Sequence, residues 1–105
     1  MELPNFTYIN DLAGNDEAFK ARLVSVIKAE LPGEIAEYKK SLHLASYAEA
    51  ANHVHKLKHK ISVMGMEKSY YLAEKFEDNL KDNNTNLQEE FEQVLNAMEE
   101  FAAAM

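Results

Sequence analysis

The segment His53-Val54-His55-Lys56-Leu57-Lys58-His59-Lys60 packs three histidines and three lysines into eight residues, and it is the part of the chain best equipped for chemistry. An imidazole titrates near pH 6.5, so near neutral pH it can serve as nucleophile, proton carrier or metal ligand. The chain has no cysteine, which removes disulfides, thiolate metal sites and thiol nucleophiles. It also has no glycine-rich phosphate loop, and so no nucleotide site of that kind. Charge sets the segment apart: residues 1–52 carry 8 acids and 5 bases, residues 53–60 carry 3 bases and no acid, and residues 61–105 carry 10 acids and 3 bases. The net charge of −7 works against binding DNA or RNA through general electrostatics.

Helical geometry separates these residues by role. At about 100° per residue, Tyr47, Ala50, Val54, Leu57, Ile61, Met64 and Gly65 fall within one arc roughly 100° wide, which must face a core. His55 lies about 130° from the centre of that arc, with Ala48, Ala51, Asn52, His59 and Ser62 on its own face. These neighbours are mostly small, which leaves room for another protein to reach the imidazole. Lys58, three residues on, can set its ammonium beside whatever the imidazole holds. The pattern suits a histidine that accepts and donates a phosphoryl group. The neutral ring is the nucleophile, the three lysines disfavour the imidazolium, and they then offset the charge of phosphohistidine, Lys58 being best placed to do so.

Plainer readings compete. A lone histidine on a surface helix is ordinarily a solvated residue, and His53 and His59 fit that description. His55 and His59 at i,i+4 have the spacing of two zinc ligands, but Lys-Leu-Lys separates them, the lysines repel a divalent cation, and no third ligand follows from the sequence. No metal or other cofactor is therefore expected. Met64, Met98, Phe76, Phe91 and Phe101 follow core spacing and read as core filling.

The elements that must position His55 are helices. A chain of 105 residues that is 47% hydrophobic, with 3 Gly and 2 Pro, suits one all-α domain over residues 1–105. Thr7 to Leu12 predicts a short N-terminal helix, and Asn15 or Asp16 the next N-cap. Phe19, Leu23, Val26, Ile27, Leu31, Ile35, Tyr38 and Leu42 recur at helical spacing, with a kink or interruption expected near Pro32-Gly33. Ser46 and Glu49 have capping-box spacing and start a helix at about Tyr47. Another helix is expected over Glu67–Lys81, with Leu72, Ala73, Phe76 and Leu80 buried. Thr85 to Gln88 reads as a second capping box, before a helix carrying Leu87, Phe91, Val94, Leu95, Met98, Phe101, Ala102 and Met105 inward. Short connections between four amphipathic segments predict an antiparallel up-down-up-down four-helix bundle with a short extra N-terminal helix.

His55 with Leu57, Lys58 and Gly65 resembles the histidine-containing phosphotransfer (HPt) domains of bacterial multistep phosphorelays. In that family the histidine is followed by Leu at +2, Lys at +3, usually Gly at +4, and Gly at +10, and three of these four positions match. Leu12-Ala13-Gly14-Asn15-Asp16 also looks like the loop before the family's first bundle helix, and the resemblance runs from about Phe6 to Phe101. His59 departs from the pattern, standing where glycine is usual; it could crowd a docking partner, hydrogen-bond to the phosphoryl group, or point away.

The resemblance implies that His55 is the phosphoacceptor and Lys58 the phosphoryl-stabilising residue. The phosphoryl group would come from one receiver-domain aspartate and pass to another, with Mg²⁺ bound by the receiver rather than by this chain. Implied partners are response-regulator receiver domains and a hybrid sensor histidine kinase. The chain would be a phosphocarrier rather than a kinase or a stand-alone enzyme. The alternative is a helical adaptor that binds a signalling partner through the His55 face without accepting phosphate. No apolar run nears the roughly 20 residues that span a bilayer, and the N-terminus has no basic and apolar leader, so a cytoplasmic monomer with no membrane or nucleic-acid partner is expected. Met1 and the full set of bundle segments point to a free protein rather than a piece of a kinase.

Overall fold

The structure, a computed structural model, describes residues 2–105. These form five helices and, among the described residues, no strand: α1 Thr7–Ala13, α2 Glu17–His43, α3 Tyr47–Val63, α4 Glu67–Lys81 and α5 Gln88–Ala104. α2 packs on α3, α3 on α4, α4 on α5, and α5 returns to α2, which closes a four-helix bundle. Short turns at residues 44–46 and 64–66 make α2/α3 and α3/α4 antiparallel hairpins. α1 leans against the N-terminal part of α2.

Local chemistry sets the boundaries. The Asp16 carboxylate accepts a hydrogen bond from the Phe19 amide at 2.9 Å and caps α2. Neither expected capping box forms: Ser46 makes no side-chain cap bond, and α5 starts at Gln88 behind Leu87, itself in a left-handed conformation with φ 77°. The turn from α3 to α4 depends on Gly65, whose φ is +78° and where a Cβ would run into the Asn5 side chain.

The expected interruption at Pro32 does not occur, because α2 runs unbroken from Glu17 to His43 with Pro32 inside it. Leu31 and Ile35 flank the proline, and both are buried in the core. Their packing against the neighbouring helices outweighs a local cost of about 3 kcal/mol. α2 is longer than α3, 27 residues against 17, so its first turns extend beyond the α3/α4 hairpin. Val26, expected inside, is exposed because it lies off the face that buries its neighbour Ile27, while Phe19 and Leu23 nearer the start of α2 are half-buried.

The core centres on Tyr38, Phe76 and Phe91, with ring centroids 5.1 to 6.2 Å apart. Each fully buried side chain of this size contributes on the order of 1.5–3 kcal/mol. The Tyr38 hydroxyl donates to Glu92 at 3.1 Å; burial, reinforced by that carboxylate, raises the phenol far above its ordinary pKa and keeps it a neutral donor. Among the described residues no helix is long and apolar enough to cross a membrane.

Candidate phosphoacceptor site

The antiparallel α3/α4 hairpin brings residues 22 positions apart into contact. His55 projects from α3 with its side chain 57% exposed, while Glu77 of α4 stands beneath it, 8% exposed. His55 Nδ1 is 3.3 Å from each Glu77 oxygen. Glu77 Oε1 also accepts from Lys58 Nζ at 2.9 Å, and Oε2 from Lys81 Nζ at 3.2 Å. One buried carboxylate thus links a histidine and two lysines.

Glu77 is absent from the sequence reading, yet a signal was there. Ala73, Phe76, Glu77 and Leu80 follow the i, i+3, i+4, i+7 rule of a buried face, and all four are buried. An acid on a core stripe requires a cationic partner, and Lys58 and Lys81 supply it. Burial alone would push the Glu77 carboxyl up, but hydrogen bonds from Lys58 and Lys81, with the charge of Lys58 and a bond from His55, hold it below the ordinary carboxylate value. Lys58 responds in mirror image: burial would lower its ammonium, and Glu77 raises it above the ordinary value.

Lys58 is therefore not the surface residue its spacing suggested. Its side chain is 9% exposed, its ammonium sits on Glu77, and it also lies 5.5 Å from the centre of the Tyr70 ring. Ala51, expected on the open face, is 1% exposed. The buried arc of α3 is wider than the periodicity implied because α2 and α4 both pack on this helix. The three lysines do not surround His55 either. Lys60 turns to α2 and pairs with Glu30 at 3.0 Å and Glu34 at 2.9 Å, and Lys56 is exposed.

His59 is exposed, and its ring stands edge-on to His55 with centroids 5.7 Å apart and planes at 87°. It flanks the His55 ring rather than pointing away. His53 is half-buried and lines a shallow groove toward α2 with Glu34, Glu37 and Lys56.

An ionised carboxylate can only accept, so in the neutral ring Nδ1 carries the proton and donates to Glu77. Nε2 then holds the lone pair and has no hydrogen-bond partner among the described residues. The result is an exposed nitrogen nucleophile on a ring oriented from behind. With this geometry in view, the family comparison is decisive: the Hpt domain model matches residues 22–104.

The chain belongs to the Hpt domain family. Hpt domains are phosphocarrier modules of two-component phosphorelays rather than kinases, and they work with response-regulator receiver domains and sensor kinases. The match begins within α2, so α1 and the Leu12–Asp16 loop lie outside it. Searches of curated proteins and of solved structures each returned no match.

Proposed function

We propose that this Hpt domain is a phosphorelay intermediate that takes a phosphoryl group from a receiver aspartate onto His55 and passes it to a second receiver aspartate. The observation that carries the reading is the exposed His55 ring with Nδ1 on the buried, ionised Glu77. Nε2 attacks the phosphorus of the aspartyl phosphate. The N–P bond forms as the acyl P–O bond breaks, and the bonding pair leaves with the aspartate carboxylate. Nδ1 keeps its proton throughout, so the ring gains a positive charge that Glu77 offsets directly beneath it. Return of the group reverses these changes without a proton entering or leaving the ring, so transfer can run either way.

Lys58 stabilises the phosphoryl group as a fixed positive charge in a buried seat, and it also holds Glu77 in place. Lys81, with its side chain 56% exposed, is the more open ammonium on the same carboxylate. Mg²⁺ would be supplied by the receiver, where the aspartyl phosphate resides.

Incubation with acetyl phosphate and a receiver domain, followed by assay for acid-labile phosphate, tests the reading. His55→Gln is expected to retain the helical circular dichroism and melting profile, because the ring is mostly exposed, and to lose all label. His53→Gln and His59→Gln are expected to stay labelled. Undiminished labelling of His55→Gln would sink the assignment, and a wild-type chain that binds the receiver but takes no label would point to the adaptor instead.

A further inference from the structure

On the face that carries His55, a cleft of about 360 Å³ opens between α1, α3 and α4, lined by Tyr8, Ser62, Gly65, Glu67, Tyr70 and Tyr71. Ser62 is seven residues after His55 on α3, and Tyr70 is seven before Glu77 on α4. Seven residues make two helical turns, so the cleft lies about 10 Å along the hairpin from the His55–Glu77 contact. Tyr8 is 45% exposed and Tyr71 55% exposed, unusually open for such large rings. Tyr70 and Tyr71 meet edge-on, with centroids 5.6 Å apart.

Lys58 already holds its ammonium over Tyr70, so the rings this cleft leaves open are Tyr8 and Tyr71. Aromatic faces carry negative potential, Glu67 adds a carboxylate at the rim, and no lining side chain is basic. Glu74 and Lys75, one turn further along α4, are both exposed and offset each other, so Glu67 supplies the charge of the cleft itself. The molecule also shows what such rings accept. Lys58 places its ammonium over Tyr70, and Lys20 places its own 5.0 Å from the Phe6 ring centre. A domain that brings an aspartyl phosphate to His55 covers roughly 800 Å² of this surface, which takes in the cleft.

We propose that the cleft, through Tyr8, Tyr71 and Glu67, receives a lysine or arginine side chain of the receiver domain docked over His55, and so selects the partner. The proposal rests on the phosphocarrier reading and adds a recognition subsite to it.

The test uses phosphoramidate as a small phosphoryl donor and, as the protein donor, a receiver domain that labels the wild-type chain. Tyr71→Ala and Glu67→Gln are each expected to raise the KM for the phosphorylated receiver about two- to fivefold, and Glu67→Lys to raise it further. The rate at saturating receiver and the labelling of His55 by phosphoramidate should match wild type. Added salt should narrow the gap between Glu67→Lys and wild type. An unchanged KM in both Tyr71→Ala and Glu67→Lys, with His55 labelled normally, would overturn the subsite. A raised KM in Tyr71→Ala beside a wild-type value in Glu67→Lys would make the partner group apolar and overturn the cationic assignment. Failure of the wild-type chain to take label on His55 from either donor would overturn the phosphocarrier reading instead.

Discussion

Glu77 is the residue on which the proposed acceptor site turns, because it accepts from His55 Nδ1 and neutralises the buried ammonium of Lys58. Glu77→Gln leaves Lys58 without its counter-charge and offers His55 an amide that fixes neither tautomer. The variant should lose about 1–3 kcal/mol of stability and slow transfer to His55 about ten- to hundredfold, read by thermal melting and by single-turnover labelling. Lys58→Ala should destabilise as well, since it strands Glu77. The pH dependence follows from the two directions of shift. The Glu77 carboxyl is depressed in the folded chain, so its contribution is present above its ordinary value of 4.5 and is lost as pH falls through the folded value. The Lys58 ammonium is raised, so its contribution is complete below 10.5 and is lost as pH rises beyond it. The stability gap between wild type and Glu77→Gln should therefore be level between these limits and close outside them. A gap that persists in acid would mean that the ion pair is not its source.

At the scale of elements, two of the three glycines have opposite duties. Gly33 lies inside α2 with a helical conformation and open space around it, so it costs helix propensity and gains nothing in packing. Gly33→Ala should raise stability by about 1 kcal/mol. Gly65 turns α3 into α4 at positive φ with the Asn5 side chain against it, so Gly65→Ala should destabilise by more than Gly33→Ala stabilises. Denaturant melts of both variants check the pair, and equal effects would remove the turn as the reason for Gly65. The +10 glycine of the family pattern is explained here by the turn and the close approach of Asn5, ten residues from the histidine whose helix it ends.

Across the whole molecule, the N-terminal segment ties the bundle together at the end away from the α2/α3 turn. Glu2 accepts hydrogen bonds from the Ser69 and Lys68 amides at the start of α4, at 2.8 and 3.1 Å. Asn5 donates its amide to Met64 O at 2.9 Å and its side chain to Gly65 O at 3.3 Å, and Phe6 packs on Phe101 of α5 with centroids 4.9 Å apart. The double variant Glu2→Gln, Asn5→Ala should lose about 1–2 kcal/mol and several degrees of melting temperature. Phosphoramidate labelling of His55 should be unaffected, since the strap does not touch the Glu77 cluster. Loss of label at temperatures where the variant is folded would show that the strap positions the site as well.

What the sequence determined by itself is what periodicity can carry: the helices, their four-fold count in the bundle, the buried stripe of α3, and the outward position of His55 with Lys58 one turn on. The span Glu67–Lys81 came directly from spacing, because one apolar face suffices to set it; the start at Tyr47 was placed correctly, but from a capping box that does not form. The passage of α2 through Pro32 and the burial of Lys58 were decided by tertiary structure. A helical wheel separates core from solvent for one helix alone; it does not say that a second neighbour covers the flank on which Lys58 lies. Nor does any local pattern join His55 to Glu77 across 22 residues, since that contact follows from the register of α3 against α4, set by the tight turn at Gly65.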